Sequence, residues 1–345
     1  MAGGITLRPT GETDGRWLSR SLRILAHIHT FNDADIIDRT IEAVLLQTRP
    51  VDGILVVDNA STDGTLEQPS LRHAAVVRHP DNLGTSGAVA TGIRFALEQN
   101  YDWIWVFDAD SIVRPDALEK LLDLYAGWTP SQQDRTAFLA CLPHNVKDGK
   151  PRHGGVFTRH GLTLARPAPD ARHYPCHVTI WSGILYRLAA VREIGLPNSN
   201  YVLDRGEDEY GYHVMKAGYQ GFIHQDAVLE HNIRGNPSLT AIDRKFGPAT
   251  LTFYEFPPIR CYYTCRNTLY FALYEAAQGR FGLLRGALWR VRPTPERPGL
   301  MRGAVWRVLL LTLNFVVRPR HHGGQILACL RGIWHGFTGN IRARY

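Results

Sequence analysis

Two aspartates, Asp108 and Asp110, close the apolar run that begins at Trp103 (WIWVFDADS). Side chains alternate along a strand, so both carboxylates leave its end on the same side. Held that close they repel each other unless a cation lies between them. Hard divalent cations such as Mg2+ and Mn2+ take oxygen ligands and commonly share them with a phosphate. An isolated Asp-x-Asp is simply a strand end with solvated aspartates; the company this pair keeps gives it chemistry. Thr30, Asp58 and Asn82 stand where three other strands should end. Glu207, Asp208 and Glu209 open a helical stretch, and His231 follows an apolar pair. Acids at a helix N-terminus suit its dipole, and a carboxylate there is also placed to act as a general base.

The elements that position these groups follow from periodicity. Strands are expected at 22–29, 53–58, 74–78 and 103–108, with helices between, one capped by Asp33 or Asp35 and running to about Gln47, another over Ala88–Glu98. Such alternation predicts an α/β fold, a mostly parallel sheet flanked by helices. In open sheets of this kind ligands bind at the carboxyl ends of strands. Thr30, Asp58, Asn82 and the Asp108/Asp110 pair would then line one crevice with acceptors for a base, a ribose and a metal. The first strand is not followed by GxGxxG, and GxxxxGK[ST] is absent, which disfavours dinucleotide and P-loop folds. Downstream, a helix runs from Pro115 to about Tyr125 and a strand covers 137–142. A long Pro-, Gly- and His-rich segment fills 143–176, and a strand over 177–186 carries Ser182-Gly183 at its middle.

Composition bounds the reading. The chain has 345 residues, 44% hydrophobic and 21% charged, which are globular values. Five scattered cysteines without a CxxC pair suit reduced thiols in a cytosolic setting, with Cys261 and Cys265 in the core. The first twenty residues are polar, so no signal peptide is expected, and no apolar stretch is long enough to span a bilayer. The net charge of +7 is uneven: 280–345 holds twelve Arg, no Lys and one Glu, leaving −4 for the rest. That asymmetry points the tail at an anionic surface.

In order along the chain, the motifs resemble the inverting family 2 glycosyltransferases of GT-A fold. They are HTFN (29–32), VDNASTDG (57–64), NLG (82–84), FDADS (107–111), WSG (181–183), GEDE (206–209) with AGY (217–219), and His231. The likeness spans about 22–270. Arg260 to Asn267 (RCYYTCRN) is similar to a tyrosine-rich element of the rhamnosyltransferase-like branch, and galactofuranosyltransferases share much of the pattern.

The resemblance implies that Thr30, Asn32, Asp58, Asn82, Gly84, Asp108, Ala109 and Asp110 bind a nucleotide diphosphate sugar, with Asp58 at its base or ribose. Asp110 would ligate Mg2+ or Mn2+, Asp108 would hold the ribose or assist the metal, and His231 would complete the metal site. Asp208 would be the general base, with Glu207 as the fallback because the run of acids blurs the register. Trp181, Ser182 and Gly183 would line the acceptor side. Ala109 departs from relatives with a third aspartate there, but the outer carboxylates remain. A GT-A catalytic unit is expected over 21–258 (donor half about 21–125, acceptor half about 135–258), after a polar extension over 1–20.

The remaining 259–345 read as basic, aromatic helices: Tyr262–Gln278, Phe281–Val291, Met301–Val317 and Gln325–Phe337, with Trp289, Trp306 and Trp334 among Arg. That composition suits an anionic membrane interface, and the family resemblance implies a glycan or lipid-linked acceptor made there, which would place the protein at the cytoplasmic face of the cell membrane. A helical cap or an oligomer contact is the alternative. The expected function is metal-dependent, inverting transfer of a sugar, rhamnose from a dTDP-sugar first and galactofuranose from a UDP-sugar second. A non-catalytic sugar-nucleotide binder is the competing class, and it would not notice Asp208→Asn. Nucleic-acid binding through the tail is disfavoured by its Leu-rich amphipathic spacing.

Overall fold

The computed structural model describes residues 22–158, 161–168, 170–231, 240–246, 249–275, 304, 308–309 and 323–345. The extension over 1–20, the helix expected at Phe281–Val291, Trp289, Trp306 and all but three residues of Met301–Val317 lie outside the described residues.

Four strands, β1 (Ile24–Thr30), β2 (Gly53–Asp58), β3 (Ala75–Arg78) and β4 (Trp103–Asp108), are joined by parallel pairing in the order β3-β2-β1-β4. Helix α1 (Ile37–Leu45) connects β1 to β2, and α2 (Gly84–Glu98) connects β3 to β4. The sheet has apolar cover on both faces, which explains the unbroken apolar run of β4. Ile104 and Val106 enter one core cluster, while Trp103, Trp105 and Phe107 enter the other. Asp33 and Asp35 do not cap α1: its N-cap is Ile36, without a side-chain bond. Asp33 instead accepts from Thr30 Oγ1 at 2.8 Å and from the Phe31 amide at 2.9 Å, closing the loop after β1.

The second half is mixed. After β5 (Ile112–Val113), α3 (Ala117–Ala126) and α4 (Pro130–Asp134) comes β6 (Thr136–Asn145). The segment without readable pattern holds a hairpin, β7 (Gly155–Thr158) and β8 (Gly161–Leu164), and β9 (His173–Cys176). These strands are only four residues each, too short for an alternation to declare itself. Strand β10 (Ile184–Arg187) lies antiparallel between β4 and β6. It is shorter than expected because Gly183 adopts φ +74°, which ends the ladder there. Helix α5 (Leu188–Ile194), α6 (Gly206–Lys216) and β11 (Gln220–His231) complete the sheet, β11 pairing with β6, β9 and β5.

A separate hairpin, β12 (Thr240–Phe246) and β13 (Ala249–Glu255), precedes α7 (Pro258–Tyr270), a π-helical turn over Phe271–Glu275, and α8 (Gly323–Thr338). Helix α8 lies close on α7: a Cβ at Gly332 would stand 2.4 Å from the Tyr262 carbonyl, and one at Gly336 2.7 Å from that of Arg266. Cys261, Cys265 and Cys329 form no disulfide and are buried in this helical contact, in keeping with the core placement expected of Cys261 and Cys265.

One close approach ties the two halves together. Gly84 has φ +71°, and a Cβ there would lie 1.8 Å from the Val202 carbonyl oxygen. Gly84→Ala is therefore expected to lower stability by about 1–3 kcal/mol or more, measured as a shifted denaturation midpoint. A neighbouring exposed change, Asp81→Ala, should leave the midpoint in place.

Candidate active site

Strand register gathers the site. On β1, Thr30 pairs with Asp58 of β2, and His29 pairs with Asp108 of β4. Beyond β4 the chain enters β5, whose Ile112 pairs with Glu230 of β11, so the end of β11 returns His231 to the Asp108–Asp110 turn. The turn before β10 closes the other side. The Asp108 amide donates to Ser182 Oγ at 3.2 Å, Ser182 Oγ donates to Ser111 Oγ at 2.8 Å, and Ser111 Oγ meets His231 Nδ1 at 2.9 Å. Thr40 of α1 donates to the Ala109 carbonyl at 2.6 Å, which fixes the turn from behind.

Asp108, Asp110 and His231 each present a ligand atom within 4.8 Å of the others, and all three are partly exposed. Burial raises the Asp110 carboxyl first and the charge of Asp108 second, to about 6, with His231 working against them. Burial would also raise Asp108, but His29 Nε2 at 2.6 Å and the imidazole charges of His29, His231 and His27 outweigh it and hold it below the ordinary range. Two close carboxylates and an imidazole with unequal proton demand are the donor set a divalent cation takes. The residues therefore fit the ion that the sequence implies.

The nucleotide-side residues have different exposures. Asp58 is fully buried, accepting from the Ser61 amide at 3.1 Å and facing Arg78 Nε at 3.4 Å. Asn32 takes φ +58°, its amide donates to Ser61 Oγ and its Oδ1 accepts from the Thr62 amide at 2.8 Å. Thr30 is buried against Asp33. Asn82 is exposed and accepts from the Gly84 amide at 2.8 Å. The polar residues after β1, β2 and β3 thus staple their loops to one another and hold one rim of the crevice.

On the opposite rim, α6 begins at Gly206 after two left-handed residues, Asp204 (φ +60°) and Arg205 (φ +70°). Such backbone is costly for non-glycine residues and persists only where its surroundings enforce it. Asn267 of α7 donates to the carbonyls of Leu203 at 2.7 Å and Asp204 at 2.9 Å. Thr264 and Arg260 bind the Asp204 carboxylate at 2.6 and 2.8 Å. Buried Arg266 donates to the Asn200 carbonyl at 2.6 Å. The RCYYTCRN element is therefore the clamp on the entry to α6, a role that sequence spacing does not disclose.

That clamp sets the acids of α6. Asp208 is ion-paired with Arg205. Glu207 is raised to about 7, first by burial, then by the charges of Asp208, Asp108 and Asp204. Asp108 is among those charges, so Glu207 lies within the electrostatic reach of the Asp108–Asp110 pair. Trp181 is buried in the core, Nε1 donating to Tyr186 Oη at 3.0 Å, and a Cβ at Gly206 would stand 2.8 Å from its ring. It thus lies directly under the start of α6. Ser182 is buried in the hydroxyl chain described above, and Gly183 packs against Cys141. His29, Ser111, Arg205 and Asn267 are the contributors that sequence reasoning left without a role. All but Arg205 lie inside quoted motifs, and only the strand register and long-range pairing reveal what they touch.

Residues 26–194 match the family described as Glycosyl transferase family 2. Over 134 residues the chain is 34% identical to the undecaprenyl-phosphate mannosyltransferase of Micrococcus luteus, covering 37% of this chain and 51% of that protein. Over 215 residues it is 25% identical to galactofuranosyltransferase GlfT1 of Mycobacterium tuberculosis, covering 60% of this chain and 69% of that protein. The chain thus spans about half the length of the first relative. Among solved structures, GalNAc-T7 with UDP, GalNAc and Mn2+ superposes with a TM-score of 0.51 at 16% identity, over 61% of this chain and 44% of that one. That likeness carries the fold, a GT-A-type mixed sheet flanked by helices with a helical C-terminal region. Helix α6 and His231 lie beyond the matched 26–194, so their place in the site rests on geometry.

Proposed function

Residues 26–194 are a family 2 glycosyl transferase domain, and from that premise we propose that the chain transfers a sugar from a nucleotide diphosphate to an acceptor hydroxyl by a single, inverting displacement. The observation that carries the reading is the convergence of Asp108, Asp110 and His231 at the strand ends, with the acids of α6 across the crevice. Asp110 and His231, with Asp108 between His29 and the crevice, would hold the cation. An imidazole in the set favours Mn2+ over Mg2+. When bound, the cation supplies charge stabilisation to the departing diphosphate oxygens. The stapled loops of Thr30, Asn32, Asp58, Ala109, Asn82 and Gly84 orient the nucleoside side. The catalytic unit is read as 21–258, completed by the α7 clamp.

The acceptor proton goes to the Glu207–Asp208 pair. Sequence order favours Asp208, but its ion pair with Arg205 occupies it, whereas Glu207 at about 7 has a base strength matched to neutral pH. Both features support Glu207 as the base and Asp208 as the group that fixes the helix start. Trp181, Ser182 and Gly183 act from beneath, supporting the acceptor side and the cation turn.

The longer of the two reported relatives' matches is to a galactofuranosyltransferase, which supports a UDP-sugar ahead of the dTDP-rhamnose that the sequence reading put first. The test is nucleotide release on mixing protein, Mn2+ and a lipid-linked glycan with UDP-galactofuranose, dTDP-rhamnose or GDP-mannose. Acceptor-dependent release from one donor, with inverted product, supports the reading; release from none sinks it.

Helix α8 supports a lipid-linked acceptor. Leu327, Leu330, Trp334 and Phe337 share one face and are all exposed, Trp334 by 65%. Exposed Arg331, Arg342 and Arg344 accompany them. Apolar anchors with adjoining arginines suit the surface of an anionic bilayer. Among the described residues no helix is long and apolar enough to cross a membrane. Trp334→Glu with Leu330→Glu is expected to cut co-sedimentation with anionic vesicles about tenfold or more, and to remove the weaker binding to neutral vesicles, which rests on the apolar anchors alone.

A further inference from the structure

A second group of metal-type ligands lies on the side of α6, away from the Asp108–Asp110 turn. Glu209 and His213 stand one helical turn apart on the same face, with Glu209 Oε1 3.5 Å from His213 Nε2. Glu275, the last residue of the π-helical turn after α7, brings its Oε2 to 3.6 Å from the same nitrogen. One ligand atom from each of the three lies within 4.8 Å of the others.

These separations are long for charged hydrogen bonds but match the edge of a tetrahedral site. Metal–ligand bonds of 2.0–2.2 Å at a tetrahedral angle place neighbouring ligand atoms about 3.4 Å apart. Glu209 is only 2% exposed, yet the hydrogen bond its carboxylate accepts from the Asn198 amide is a marginal 3.5 Å. A second observation points into the same place. The Tyr201 hydroxyl is buried and has no hydrogen-bond partner among the described residues. After burial, the charges of Glu209 and then Glu275 hold its ionisation high, so both carboxylates lie in its neighbourhood. A buried hydroxyl without a partner near these carboxylates is a group that a bound ion or its water would satisfy.

We propose that Glu209, His213 and Glu275 hold a divalent transition-metal ion of the Zn2+ type, with the Tyr201 hydroxyl beside the open position, as a staple between α6 and the C-terminal helical region. An imidazole with two carboxylates selects Zn2+, Co2+ or Mn2+ over the purely oxygen-seeking Mg2+ and Ca2+. The staple anchors the flank of the helix whose first turn carries Glu207 and Asp208. The inference stands apart from the transfer reading, because its readout is metal uptake and not turnover.

The test uses the full chain carrying Asp110→Ala, so that the crevice site is disabled, stripped with chelator and titrated with Co2+. Tetrahedral Co2+ absorbs in the visible far more strongly than octahedral Co2+. The expected result is a saturable visible band at about one Co2+ per chain, bleached by Zn2+, together with a thermal midpoint raised by Zn2+. Adding His213→Gln or Glu275→Gln should abolish both. Glu275 lies on a partly exposed turn, so its variant keeps the test open if His213→Gln fails to fold. Absence of the band in Asp110→Ala would leave His213 as a protonated bridge between two glutamates and overturn the proposal. A band that survives both second-site variants would overturn it equally.

Discussion

Glu207→Gln is expected to lower kcat by about 100- to 10,000-fold, the usual contribution of a positioned general base, while donor binding is retained. The expectation follows from three features of α6. The α7 clamp forces its start, Asp208 is engaged by Arg205, and Glu207 lies within the electrostatic reach of Asp108. The glutamine keeps the shape and the helix, so loss of turnover with intact thermal stability isolates the proton-accepting role. The pH dependence carries the same claim. A base must be unprotonated to act, and Glu207 is raised to about 7, so wild-type activity should fall as pH drops through that region. With cation bound, the Asp108 charge that helps raise Glu207 is neutralised, and the acid limb should move to lower pH. The residual activity of Glu207→Gln should lack that limb. Asp208→Asn should cost less, about tenfold, because its carboxylate fixes Arg205. If Asp208→Asn collapses turnover and Glu207→Gln does not, the two roles are exchanged.

Asp110→Asn should lower kcat/KM about a thousandfold, the several kcal/mol that a Lewis-acid cation contributes at a departing diphosphate. The fold should not suffer. Asp110 is raised to about 6 partly by repulsion from Asp108, so removing its charge relieves an unfavourable contact when no cation is bound. A variant as stable as wild type or more so, but unable to respond to Mn2+, would separate the loss of the cation from the loss of structure. His231→Ala should be milder, about 10- to 100-fold, since it completes the set from β11 while also holding the Ser111 hydroxyl.

The parts of the fold that could be read in the sequence were those with unbroken apolar runs. β2 and β4 stand at the residues their apolar runs define. The Asp108–Asp110 turn was legible for the same reason, since an apolar strand that stops at acids leaves them at its end. Short strands inside a Pro- and Gly-rich stretch were not, because four residues carry too little alternation. Nor were contacts set by register and long-range clamps. His29 meets Asp108 only because β1 and β4 pair as they do, and Asn267 reaches Leu203 and Asp204 across more than sixty residues. The mixed second half was hidden too: β10 runs antiparallel, and its neighbours gave no sequence signal of direction.

The central claim is a cation-dependent nucleotide-sugar site at the strand ends, and ligand-induced thermal stabilisation tests it most directly. Wild-type protein would be melted with UDP-, dTDP- and GDP-sugars, in Mn2+ or in chelator, beside Asp110→Asn. A ligand bound only by the folded state raises the midpoint by mass action. One nucleotide class should raise the wild-type midpoint in Mn2+ and not in chelator, and should leave Asp110→Asn unmoved. A rise that is indifferent to the cation, one that persists in Asp110→Asn, or no rise with any of the three donors with and without anionic lipid would contradict the account.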